Sequence, residues 1–499
     1  MIMNGSLTNH GQLRTIIINN GRRVGFAVAA CASLFASAGA AAGERHAYTI
    51  AVDAALQRLQ VEARFSLPVS NIAARSGIAG KFLLDPRDCD SGQPLATTGR
   101  RIATGGSGIR CLSYAIDLQR AAQAEPRNSS LAAHNILVSP TVWMWRPPLG
   151  ANDAIEVVFL LPQNLQVSVP WQPVAATPNA YRLTASPQSG TGIALFGRFE
   201  SSITTVAGAD LRIELPRATM DYDTQAMLDW IRDTAGNIAL VYGRFPNPAA
   251  RIIILPAARL PWSDDPPGGV IFGRVVRDGG ETVELLIDPH QPMASFYADW
   301  TATHELSHLL LPYLRSQQRW VSEGFAQYYQ NILLARAGRY TEEYAWQKLH
   351  DGLQRGRASV PQMSPNQATS GDERSSRMKI YWSGAAMALM ADVELRRRSQ
   401  GSESLDTVLD QLQRCCLPSG SGWSGRELFT RLDSFLEEPL FMDLYRRYAD
   451  TPGFPDVLPV LERLGVVVER GEVRFRSDAE LAEIRASLTA RRYTHEPGN

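Results

Sequence analysis

Several things are scarce in this chain. Cysteine is limited to five residues, Cys31, Cys89, Cys111, Cys415 and Cys416, in 499. Their spacing fits no four-cysteine zinc site. Net charge is absent: 50 Lys and Arg face 50 Asp and Glu. No basic excess points to nucleic acid, and no charge run points to a solvated tail. Beyond the first 42 residues, no stretch is apolar for the length a membrane span needs. There is no internal repeat. Histidine is sparse as well, with eight in the chain, and two of the eight stand four residues apart.

A hydrophobic content of 44% over this length allows two or three domains with real cores. The first 42 residues stand apart. Arg14, Arg22 and Arg23 precede "VGFAVAACASLFASAGAAA", and no acidic residue is present. A positive start, an apolar middle and a small-residue end form the pattern of a secretory signal peptide over 1–42. A membrane anchor, a lipoprotein site at Cys31 and a twin-arginine signal are the variants of that reading. The expected location is periplasmic or secreted, with membrane contact only through this segment if it is uncleaved or lipidated. In an oxidising compartment Cys89 and Cys111, which flank a Gly/Thr/Ser-rich loop, can pair. Cys415 and Cys416 are free, vicinally paired or unrelated.

Three zones follow. From 43 to 210, short β-rich runs such as "YTIAVD", "LQVEARFSL" and "AIEVVFLL" are separated by turn residues, which predicts an all-β domain. From 211 to 400 the pattern mixes: a helix at "TQAMLDWIRDTAGNIALVYG", strands at "ARIIILP", "GVIFGRVV" and "TVELLID", then helices near 293–311, 319–336, 341–356 and 379–398. The stretch 401–499 reads as helical, with a capping box at Ser424-Gly425-Arg426-Glu427. The chain is thus multidomain α+β.

The chemistry concentrates in "ATHELSHLLLPYL". His304 and His308 at i and i+4 share one helix face and can reach one ion, and Glu305 beside them can reach a water on it. Catalytic zinc takes three protein ligands and keeps a fourth position open, so a third ligand is required. Pro312 predicts a break near Leu311. A short connector then leads to a second helix, folded back antiparallel, that carries Glu323. Gly324 beside it permits close backbone approach.

"HELSH" followed by "WVSEGFAQYY" resembles the gluzincin metallopeptidases, although the 14 residues between His308 and Glu323 are fewer than usual there. The resemblance implies a thermolysin-like catalytic domain and one Zn2+ per chain bound by His304, His308 and Glu323. It implies Glu305 as general base and a peptide or protein substrate. It also implies an oxyanion-stabilising tyrosine in a Tyr-x-x-Gly element, matched by Tyr381 and Gly384 in "KIYWSGAAMALMADVEL". The helices after Tyr381 and the β-rich first zone are similar to the glycyl aminopeptidase branch, without its usual PDZ module. One departure concerns specificity. The aminopeptidases carry an amine-anchoring glutamate on a strand upstream. Here the corresponding run, Gly268, Gly269, Val270, Ile271 and Phe272, has none. Asp264, Asp265 or Glu281 are the candidate substitutes, and the strand itself can still bind a substrate by β-addition. A catalytically inactive peptide-binding or assembly protein on the same scaffold is the competing reading. The serines of "SGSGWSG" lack nucleophile-elbow spacing and read as a loop.

Overall fold

The computed structural model describes residues 43–492 apart from the short stretches 125–128, 133–134, 151, 185–191, 217–222, 257–267, 278, 372 and 420. The signal segment with Cys31, the tail beyond Arg492, and Asp264 and Asp265 therefore lie outside the described residues. Among the described residues, no helix is long and apolar enough to cross a membrane.

The first part is built from a seven-stranded, a four-stranded and a three-stranded sheet. Alternation in Arg45–Val52 and Arg58–Val69 buries every second residue, which places Tyr48, Ile50, Leu59 and Val61 in a core with Trp143 and Trp145. Two short helices, Leu118–Ala124 and Pro140–Trp143, interrupt the expected all-β pattern. The second starts because Ser139 caps it through the Thr141 N–H and Pro140 supplies a preset φ. Cys89 and Cys111 form a disulfide.

The second part rests on a five-stranded sheet in the spatial order Phe199–Val206, Ala209–Pro216, Ala249–Pro256, Thr282–Ile287, Val270–Val276. The boundary expected at 210 falls inside its first hairpin, whose two strands pair from Phe199↔Pro216 to Val206↔Ala209. Ala207-Gly208 makes the tight turn, both with positive φ. That hairpin thus belongs to the second part as a whole. Among the described residues Val270–Val276 pairs only with Thr282–Ile287, which makes it the edge strand of this sheet. Arg251 is fully buried between the two parts, bonding Ser168 Oγ and the Ile193 carbonyl on one side and Thr282 Oγ1 on the other. Burial first, and then neighbouring Arg212, pull its guanidinium down to about 9.

The helices expected at 319–336, 341–356 and 379–398 are observed as Arg319–Arg336, Glu342–Ala358 and Glu373–Arg398. The one expected at 293–311 is split into Met293–Ala298 and Thr301–Ser307, with a 3-10 turn at His308–Leu310. Asp299 causes the split. It is extended, and its carboxylate accepts from the Thr301 N–H at 2.7 Å and the Val270 N–H at 3.1 Å. The C-terminal stretch is helical apart from a hairpin, Val466–Glu469 with Glu472–Phe475. Its β-branched run and the positive φ of Arg470 and Gly471 favour a hairpin over a helix. The capping box at Ser424 is present in both directions, and Cys415 and Cys416 are disulfide-bonded.

Candidate metal centre

Thr301–Ser307 and Arg319–Arg336 pack face to face. Proceeding from His304 to His308, the partners on the second helix run from Gln330 back to Ser322, so the two are antiparallel as expected. Pro312 comes directly after the break: Leu311 is extended and ends the 3-10 turn. Arg277, from the end of the edge strand, donates to the carbonyls of His308 and Leu311. These are carbonyls that a terminating helix leaves open.

His304, His308 and Glu323 each offer a ligand atom within 4.8 Å of the others. Glu323 Oε2 lies 3.3 Å from His304 Nε2 and 3.5 Å from His308 Nε2. The opposite ring nitrogens are also engaged. His304 Nδ1 is 3.1 Å from Gln330 Oε1, and His308 Nδ1 is 3.0 Å from Ser322 Oγ. A cation at this point would select the tautomers with Nδ1–H donating in each ring, which turn both Nε2 lone pairs toward it. Glu323 Oε1 turns the other way, 3.3 Å from Arg319 Nε. One helix therefore provides Glu323 and a partner for each of the three candidate ligands.

Burial lowers the basicity of the His304 imidazole, but the Glu323 hydrogen bond and the charge of Glu305 outweigh it and the ring ends above an ordinary histidine. Burial keeps His308 below, with Glu323 offsetting part of the effect. Glu323 is disfavoured as an anion by burial, yet hydrogen bonds from both histidines hold it well below the usual carboxylate range. Burial pushes Glu305 up to about 7, with His304 opposing and Glu323 adding to the rise. The cluster thus draws positive charge toward Glu323, a demand that a divalent cation meets. Two imidazole nitrogens and one carboxylate oxygen also form a common donor set for catalytic zinc. The residues present fit the ion.

Tyr381 lies in the long helix Glu373–Arg398, not at a helix start. Its ring stacks on His304 with centroids 5.7 Å apart. Burial, then the charges of Glu323 and Glu305, raise its phenol well above the ordinary value, so it stays a hydrogen-bond donor. Tyr381 reaches the centre because two helices touch at glycines. A Cβ on Gly324 would lie 2.2 Å from Gly384 Cα, and one on Gly384 would lie 2.2 Å from the Trp320 carbonyl oxygen.

A cleft of about 350 Å³ opens on Glu305, His308, Glu323 and Tyr381. The edge strand forms one wall, but through residues later than its sequence suggests: Phe272, Gly273, Arg274 and Val275 line it. Of the five residues expected there, only Phe272 does. Gly268 and Gly269 lack side chains because Asp299 and the Phe296 ring occupy that space. Val270 is buried and bound to Asp299, and Ile271 is half-buried outside the lining. Gly273 was not singled out by sequence. A Cβ there would lie 2.4 Å from Glu305 Cγ, so glycine lets the strand approach the carboxylate. Glu281, a candidate amine anchor, is half-buried outside the cleft lining and paired with Arg277 at 3.2 Å. Among the described lining residues the only carboxylates are Glu305 and Glu323.

A β-rich part, a mixed sheet with an edge strand, and two adjoining helices bearing His-Glu-x-x-His and Glu323 are the arrangement that the gluzincin resemblance implies. Residues 312–388 match the family model of the M61 glycyl aminopeptidases, a stretch that includes Glu323 and Tyr381 and begins after both histidines. The chain is similar over 85% of its length to 79% of an aminopeptidase N family protein from Idiomarina loihiensis, with 14% identity and a TM-score of 0.65. It is similar over 83% of its length to 95% of a two-domain M1 zinc metallopeptidase solved as a mutant bound to L-arginine, with 14% identity and a TM-score of 0.50. At these identities the likeness establishes the fold. No curated protein matches the chain in sequence.

Proposed function

We propose that the chain is an exported zinc-dependent peptidase, in which His304, His308 and Glu323 hold one Zn2+. The observation that carries this reading is the convergence of their ligand atoms within 4.8 Å. Zinc, when bound, supplies Lewis acidity and makes water nucleophilic near neutral pH. Glu305 accepts the proton of the attacking water and passes it to the departing amine. Tyr381 donates to the oxygen that gains charge as the carbonyl carbon becomes tetrahedral. The edge strand at Phe272–Val275 offers its backbone to an extended peptide.

Specificity is set by the residues that line the cleft. An amine anchor requires a carboxylate beyond Glu305 and Glu323, and the described lining residues include none. Asp264 and Asp265, the candidate substitutes just before the edge strand, lie outside the described residues, so the rates on free and N-acetylated peptides decide between an aminopeptidase and an endopeptidase. Export is supported by the basic and then apolar first 42 residues and by the Cys89–Cys111 bond.

The test uses purified protein, its metal content and a peptide library in free and N-acetylated forms. About one zinc per chain is expected, with Glu305→Gln keeping the metal and losing at least about 10³ in kcat/KM. A metal-bearing wild type without hydrolysis on any peptide supports the competing reading, a peptide-binding or assembly protein on this scaffold. Cell fractionation and N-terminal sequencing of the mature chain test export.

A further inference from the structure

We propose that the N-terminal β-rich part holds a second, separate ligand site, a pocket for a small tetrahedral oxyanion such as a phosphate group. A cavity of about 250 Å³ is lined by Arg75, Arg100, Arg101 and Arg146, with Asn71 and a Pro147-Pro148 rim, and no carboxylate lines it among the described residues.

Three distant segments bring the arginines together. Ala73 pairs with Arg101 in an antiparallel ladder and bridges to Arg146 on its other side. The Ala73 and Arg146 backbones exchange hydrogen bonds at 3.1 and 3.2 Å, and Ala74 N–H donates to the Arg100 carbonyl at 3.0 Å. The floor is rigid. Buried Tyr48 donates to the Trp145 carbonyl at 2.8 Å, and buried Tyr114 donates to the Trp143 carbonyl at 3.0 Å and accepts from the Trp145 N–H at 3.1 Å. Arg146 comes directly after this pinned segment and is half-buried. Burial, and the like charge of Arg75, weaken its hold on a proton, so an anion in the pocket relieves both effects.

The chemistry of the lining selects the ligand class. Guanidinium forks match the paired oxygens of phosphate and sulfate, and several forks around one cavity suit three or four equivalent oxygens better than the two of a carboxylate. The volume is below that of pockets for drug-sized molecules, which points to a small ligand. The site stands on the β-rich part alone and does not depend on the peptidase reading.

The experiment is isothermal calorimetry on the full mature chain in 150 mM KCl, titrating sodium phosphate, sulfate, acetate and a phosphomonoester such as phosphoserine. Saturable binding of phosphate and sulfate is expected, at least tenfold weaker in Arg146→Gln. Because Arg146 is half-buried, the exposed pair Arg100→Gln/Arg101→Gln is measured beside it and shows the same loss with an unchanged melting temperature. Anion bound at the metal centre would persist in both variants. Tighter binding of the phosphomonoester than of free phosphate assigns an esterified ligand, and the reverse assigns the free ion; either supports the site. Absence of saturable binding, equal affinity for acetate, or affinities unchanged in both variants overturns it.

Discussion

Tyr381 and Gln330 show how single side chains divide the work around His304. The phenol ring stacks on the imidazole, and the Gln330 amide oxygen is placed to accept a hydrogen bond from Nδ1–H. Tyr381→Phe removes a donor and leaves the ring stack, so kcat should fall by about 10²–10³ with KM and zinc content near wild type. Steady-state kinetics with metal analysis checks this. Gln330→Leu removes the acceptor that orients His304, so zinc affinity should fall by about 10–100-fold, read by chelator competition. At this scale the sequence was informative where a residue's identity carries the chemistry. His304, Glu305, His308 and Glu323 could be named as candidates from type and spacing, and Tyr381 from the resemblance to the gluzincins. Gln330, Ser322 and Gly273 could not, because an amide, a hydroxyl and a strand glycine have ordinary roles everywhere. One signal was available: Gln330 stands two helical turns after Glu323 and so on the same face.

Between elements, the close contact is Gly324 on Gly384. A methyl group on either meets backbone at 2.2 Å, and backbone cannot swing aside as a flexible side chain can. Gly384→Ala should therefore cost about 1–3 kcal/mol in denaturant unfolding and reduce kcat, since Tyr381 rides on the displaced helix. Elements were legible where the periodicity of their own residues decides them, as in Arg319–Arg336 and Glu373–Arg398. They were misjudged where a distant group intervenes. At the break in the 293–311 helix, Asp299 accepts from the Val270 N–H of the distant edge strand as well as from the Thr301 N–H. The hairpin Phe199–Pro216 joins the later sheet because Asp210–Glu214 finds Ala249–Ile253 as a parallel neighbour, about 40 residues on. The cleft is lined by Phe272–Val275, later in the run than expected, because Asp299 and Phe296 occupy the space beside Gly268 and Gly269.

Across the whole molecule, the helical part is tied together at Asp406. Its carboxylate meets Arg336 at 3.0 Å, Arg492 at 2.9 Å, and the Tyr329 hydroxyl at 3.0 Å. Burial opposes its charge, but Arg336 and Arg492 outweigh this and hold the carboxyl below the ordinary range. A depressed folded-state value contributes stability that is present above the unfolded pKa, about 3.9, and is lost as pH falls through the folded value. The wild type should thus lose stability below about pH 4, and Asp406→Ala should cost about 3–5 kcal/mol near neutral pH and flatten that acid dependence. Urea unfolding against pH reads both. Reducing Cys89–Cys111, which closes a separation of 22 residues, should remove about 3 kcal/mol from the β-rich part. The helix Arg319–Arg336 has a wider consequence. It carries Glu323, the partners Arg319, Ser322 and Gln330, and the glycine that seats it on Glu373–Arg398. Ion occupancy and docking of that helix then become one equilibrium. Every tenfold rise in free zinc above its dissociation constant should add about 1.4 kcal/mol to the docked state. Amide exchange along 319–336 should slow in step with occupancy, so the metal would report on tertiary structure as directly as on catalysis.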